Sequence, residues 1–146
     1  MSKKFKYLGI LVMITALVSI VLGGVFLQQG FDKESYLVGA MEQEKITVEG
    51  VEGVVDTAGE AQLAGDTVRE HRHGISPTYG DLLAGGRFDP TNPTQLSYAQ
   101  ALNLENYLYL AVASFGVFTV VKGVGAFMIV AGLGLGVTGY GLYSRE

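Results

Sequence analysis

Asn106 to Tyr143, NYLYLAVASFGVFTVVKGVGAFMIVAGLGLGVTGYGLY, holds 38 residues of which Lys122 alone is charged and eight are Gly. As a helix rising 1.5 Å per residue it would extend about 57 Å, against roughly 30 Å for the core of a bilayer. A run of this kind crosses a membrane and has length left over. Where the bilayer falls along it decides how the rest of the chain is read.

Tyr140 and Tyr143, just before Arg145, suit an interfacial aromatic belt. Counting back 21 residues from Tyr143 reaches Gly123, so residues 123–143 form a second span and Lys122 lands at the opposite headgroups, where its stem can snorkel. Residues 106–121 then continue as helix outside the membrane, yet they are apolar on all sides, and such a helix has to be buried. Its covers are the neighbouring helices of the same chain, further copies or other partners, which predicts a homo-oligomer or docking on a larger membrane complex. The alternative makes Lys122-Gly123 a turn, with residues 106–121 a short third segment and the C-terminus on the other side.

Working outward, the first span is Tyr7 to Leu27, YLGILVMITALVSIVLGGVFL, 21 residues without a charge. Lys3, Lys4 and Lys6 precede it, while only Lys33 lies close beyond it. The apolar run exceeds the usual signal-peptide core and no A-x-A site follows, which favours an uncleaved anchor. The basic flank, with Arg145 at the far end, puts both termini in the cytoplasm and the 28–105 loop outside. Ala16, Ser19 and Gly23 share one helical face, and Gly132 with Gly136 forms a GxxxG pair. Such small faces let another helix approach closely, and the second supports contacts between copies.

The 28–105 region carries thirteen acidic residues against five basic ones, a formal charge of −8. That balance excludes a nucleic-acid partner, which requires clustered Lys and Arg. Without cysteine there is no disulfide and no thiolate metal site. Leu27, Phe31, Val38 and Met41 continue a helical stripe beyond the first span. Lys45 to Glu49 alternates and is β-branched, and with Val54 and Val55 it predicts a short strand or hairpin. Thr57-x-x-Glu60 is a capping-box pattern that opens a helix, with Gly74 as its stop. A shorter helix is expected from Thr78 to Leu83. Asn92 then caps the last helix with Pro93 at its first position.

Two patterns invite a chemical reading. His71 and His73, at i and i+2, point to different sides of a helix, whereas zinc pairs use i and i+4 on one face. Metal binding there would need a frayed end, with Glu70, Asp66 or Tyr79 recruited. Gly134-x-Gly136-x-x-Gly139 matches the dinucleotide fingerprint, but only seven residues follow Gly139, too few for the βαβ unit and its acidic residue. These glycines read as helix packing, and no cofactor is expected.

Glu44-Lys45-Ile46-Thr47-Val48, Ala61-Gln62 leading to Glu70-His71, Thr78-Tyr79-Gly80-Asp81-Leu82, and Ala111-Val112-Ala113-Ser114-Phe115-Gly116-Val117 resemble, in this order, stretches of uncharacterised bacterial two-span membrane proteins. Some similar proteins are labelled aromatic ring-opening dioxygenases. That chemistry wants a non-haem iron held by histidines and a carboxylate, a set His71 and His73 do not supply at their spacing. The resemblance implies the two-span topology and no particular activity.

The sequence therefore predicts a mainly α membrane protein, with two long antiparallel transmembrane helices and a small α+β extracytoplasmic cap. The expected role is a structural, assembly or accessory protein of the cell membrane without catalysis of its own. The competing roles are a metal- or ligand-binding cap and an oligomeric channel or transport component, the latter turning on Lys122.

Overall fold

The computed structural model describes residues 3–144, so Arg145, used above for orientation, and the first two residues of the basic tail lie outside the described residues. The chain runs α1 (Lys3–Glu44), α2 (Ala58–Ile75), α3 (Tyr79–Leu83) and α4 (Pro93–Ser144). Both α1 and α4 are long and apolar enough to cross a membrane. Because α4 is unbroken, there is no turn at Lys122-Gly123. A separate third segment over residues 106–121 is thereby ruled out.

The expected α+β cap does not form, since no strand occurs among the described residues. At Lys45 the backbone turns left-handed (φ 49°) and ends α1, and Gly50 and Gly53 follow with φ of 88° and 89°. Across the would-be hairpin a single bond forms, Val55 N–H to the Ile46 carbonyl at 3.0 Å, and Val48 accepts from Val51 in a tight turn. The β-branched residues serve burial instead of a ladder. Val55 is fully buried, and Ile46, Val48 and Val51 pack against the same helical core.

Local signals fared better. Thr57 caps α2 through a complete capping box: its hydroxyl accepts from Glu60 N–H at 3.3 Å, and the Glu60 carboxylate accepts from Thr57 N–H at 3.2 Å. The Thr57 side chain foremost, then the Asp56 and Thr57 backbone N–H groups, hold the Glu60 carboxyl below its usual range. α2 runs past Gly74 and stops at Ser76, in extended conformation just before Pro77, so the proline and not the glycine marks the end. Thr78 caps α3. The Asn92 side chain accepts from Thr94 and Gln95 N–H at 3.0 and 3.2 Å, with Pro93 opening α4.

The residues divide into two compact units. One combines the described residues up to Glu34 with those from Val117 to Ser144, and the other is Ser35–Gly116. In the first, α1 and α4 run antiparallel with their backbones in contact. A Cβ on Gly23 would stand 2.6 Å from the Gly125 carbonyl oxygen, one on Gly132 2.9 Å from that of Ala16, and one on Gly9 2.8 Å from that of Gly139. Only glycine tolerates such approach. Ser19 adds a hydroxyl bond of 2.7 Å to the Met128 carbonyl. The outward faces, including Leu17, Phe127, Val130 and Val137, are exposed and apolar.

The second unit is built differently. Met41 from α1, Ala61, Ala64 and Val68 from α2, and Leu108, Ala111 and Phe115 from α4 form its core, with Val55 from the connecting segment. Gly65 lets α2 approach α4 until the Tyr109 ring is in contact, 3.1 Å from where a Cβ would be.

Candidate functional site

The buried chemistry of the Ser35–Gly116 unit centres on Arg72, near the end of α2. Its Nε donates to Glu105 Oε2 at 2.6 Å and its Nη2 to Oε1 at 3.4 Å, while Nη1 donates to the Tyr98 hydroxyl. The guanidinium also lies over the Tyr98 ring, 5.0 Å from its centroid. Arg72, Tyr98 and Glu105 are all buried. The Glu105 carboxylate raises the Arg72 pKa further above an already high value, so the guanidinium stays charged. A buried forked ion pair with a phenol as third partner fixes how α2 docks on α4. No buried side-chain nitrogen or oxygen among the described residues is left without a partner.

A second polar tie lies one to two turns earlier on α2. The Tyr109 hydroxyl donates to Asp66 Oδ1 at 2.6 Å, and Asp66 also accepts from Gln62 and Arg69. The tyrosine bond, ahead of the others, holds the Asp66 carboxyl below its ordinary value of 3.8. Burial, with Asp66 beside it, pushes Tyr109 up to about 12. This carboxylate is a docking group between helices.

That use of Asp66 bears directly on the metal reading. Asp66, Glu70 and His73 border one shallow surface depression, but no three His, Asp or Glu groups among the described residues come close enough together to hold an ion. His71 and His73 are both exposed, and His73 Nε2 lies 3.2 Å from Arg72 Nη2, a cation's neighbour and not a ligand's. The residues therefore do not assemble a non-haem iron site. Tyr79, the other recruit, instead stacks at a tilt on Tyr98 with centroids 6.1 Å apart.

In the helix pair, Lys122 has the partner that the sequence reading did not find for it. Its Nζ lies 2.5 Å from Glu34 Oε2 and 4.9 Å from the centre of the Phe31 ring, and its stem rests against Gly30, where a Cβ would meet Cγ at 2.5 Å. Glu34 lies seven residues beyond the first span and 88 from Lys122, so the pairing leaves no local trace in the sequence. The lysine is thus neutralised by its neighbour helix, and it no longer requires a transport pathway to explain it.

The proposed packing residues are all engaged within the chain. Ala16 is buried, Gly23 faces Gly125 and Ile129, Gly132 faces Ala16 and Ile20, and Gly136 touches Ala16 more loosely. Within the chain the face of Gly132 and Gly136 holds α1. Tyr140 and Tyr143 are exposed near the end of α4, with Tyr143 bordering a shallow groove beside Lys6, Tyr7 and Ile10.

The wider pattern is a repeat of seven. Gly9, Ala16, Gly23 and Gly30, seven residues apart on α1, face Gly139, Gly132, Gly125 and Lys122 on α4, where Lys122, three residues from Gly125, breaks the spacing; Met13, Ile20, Leu27 and Glu34 fill the next seam position. This is the heptad of a left-handed antiparallel pair with glycine in place of large knobs. Its signal lies in plain spacing, but a search for three- and four-residue small pairs catches only part of it.

No family model matches the chain, and no curated protein or solved structure does so.

Proposed function

We propose that the chain is a two-pass protein of the cell membrane that serves as a structural, assembly or accessory subunit without catalytic activity of its own. In this reading both termini are cytoplasmic and the 28–105 loop lies outside, resting on the lysines before the first span. The observation that carries the reading is the apolar outer surface of the α1/α4 pair. Leu11, Leu17, Phe127, Val130 and Val137 are each at least 60% exposed, a surface that water would not tolerate and lipid would.

The role as a subunit rests on the remaining apolar surface. One face of the 106–121 stretch is buried by the chain's own core through Leu108, Ala111 and Phe115. On the other side Leu110 stays 66% exposed, although it lies outside the spans as placed here. The GxxxG face being occupied, contacts with copies or other proteins fall to this face. Crosslinking of tagged protein in native membranes, followed by mass spectrometry, tests this. A homo-oligomer or a recurrent larger partner linked near Leu110 is expected, and a clean monomer with no crosslinked partner overturns it.

A further inference from the structure

On α4 Ala99, Leu102, Asn103 and Asn106 line an open groove of about 310 Å³, bordered on its other side by Tyr79 from α3 and Phe88 from the following loop. None of these residues is charged, within a stretch whose net charge is −8. A neighbouring groove of about 400 Å³ shares Asn103 and adds Gln100 and Tyr107, with Glu44 as its single charge. Gln100, Asn103 and Asn106 thus set a row of carboxamides at successive turns of one helix, flanked by aromatic rings.

The walls are held in place by the rest of the unit. Tyr79 packs on Tyr98, which Arg72 and Glu105 anchor from below. Behind Phe88, the Asp89 N–H donates to Gln95 Oε1 at 2.7 Å, and Thr91 donates to Asp89 Oδ1 from both its N–H and its hydroxyl, at 2.9 and 2.7 Å. Left-handed residues at Ala84 and Gly85 start that loop. The groove is therefore shaped before any ligand arrives, which limits the ordering cost of binding.

We infer that this face binds a neutral oligosaccharide. A carboxamide offers a donor and an acceptor side by side, matching adjacent hydroxyls that each do both. Aromatic rings offer apolar area to the C–H face of a pyranose, and a mostly apolar floor with a few convergent polar groups is the usual make-up of a ligand site. Between Tyr79 and Asn106 the lining is uncharged, which leaves no ion there to be stripped of water. An extended peptide fits less well: it repeats every two residues at about 6.8 Å. Carboxamides three residues apart on a helix are separated by about 4.5 Å along the axis. The inference stands independently of the membrane orientation proposed above.

The full chain, in nanodiscs free of sugar-headed detergent, would be titrated with cellotetraose, maltotetraose and N-acetylchitotetraose by calorimetry and ligand-observed NMR. Saturable binding of at least one is expected at millimolar concentration or below, weakened about tenfold or more by Asn103→Ala and by Tyr79→Ala. Asn103→Asp keeps the shape and adds a charge, and the same loss is expected from it with an unchanged circular dichroism spectrum. Glu52→Gln, on an exposed loop, should bind as the natural chain does. The inference is overturned if none of the three sugars saturates by about 10 mM, if the Asn103 and Tyr79 variants bind undiminished, or if an uncharged Ala/Ser/Gly hexapeptide saturates the groove in their place.

Discussion

The same two helices, α1 and α4, contribute to both units, and they are held by opposite means in each. In the unit with the apolar outer surface the contact is backbone on backbone, through Gly9, Gly23, Gly125, Gly132 and Gly139. In the Ser35–Gly116 unit it is made by large side chains, with Met41, Leu108 and Tyr98 fully buried, and by an ion pair. In the membrane setting proposed above, the physical reason is the solvent. Lipid tails are as apolar as leucine, so burying a leucine against another helix gains little there, and close van der Waals approach with short polar bonds has to do the work. Where water surrounds the protein, removing apolar area from it is the dominant gain, and bulk is an advantage.

The comparison can be broken most severely at the buried ion pair. Glu105→Ala leaves Arg72 charged, buried and missing its forked acceptor, and should cost the Ser35–Gly116 unit about 3–5 kcal/mol. Chemical denaturation followed by near-ultraviolet dichroism of its tyrosines reads this directly, and a loss under 1 kcal/mol would refute the anchoring role.

Next in size is the glycine seam. Gly132→Leu forces side-chain atoms into the Ala16 carbonyl and Ile20, and about 1–3 kcal/mol or more of overpacking strain is expected. Disulfide trapping between cysteines introduced at Ala16 and Gly136, whose Cβ positions lie 3.8 Å apart in a chain with no natural cysteine, should fall sharply in that variant. Met41→Ala, by contrast, should leave this trapping unchanged while destabilising the other unit by about 2–5 kcal/mol.

A pH scan separates the two units further. The raised pKa of Tyr109 means its bond to Asp66 contributes fully below about pH 10 and is lost as pH climbs through about 12. Asp66, held low, contributes above its ordinary 3.8 and loses that contribution as pH falls through its depressed value. Tyr109→Phe should flatten the alkaline loss, and an unchanged alkaline profile would remove Tyr109 as its source.

The smallest effect is expected at Lys122. Its pair with Glu34 is partly exposed, with side chains 21% and 30% accessible, so Lys122→Met should cost no more than about 1 kcal/mol. A larger loss, or an altered membrane conductance, would show that the pair has a role beyond neutralising a charge at the end of the spans.

How much of this was legible in the sequence follows from range. The caps at Thr57 and Asn92 were readable because donor and acceptor lie within three residues of each other. Both apolar runs were readable because length and hydropathy are local sums. The Ile46-Thr47-Val48 run misled, since β-branching marks a residue suited to a half-buried extended surface, and a loop packed on helices supplies that as well as a sheet. Arg72 and Glu105, 33 residues apart, left no local trace of their pairing. The groove beside Asn103 and Asn106 was equally hidden, because its far wall comes from Tyr79 and Phe88.

The glycine seam also sets how this chain can vary. Any substitution of a glycine replaces a hydrogen with at least a Cβ. At Gly23, Gly125 and Gly132 a Cβ would fall within 3.0 Å of neighbouring helix backbone. Those positions have no conservative neighbour to drift toward, whereas the exposed apolar residues a turn away can exchange freely among apolar types. Under random mutagenesis with selection for the intact protein, the tolerated substitutions along α1 and α4 should therefore fall silent once every seven residues.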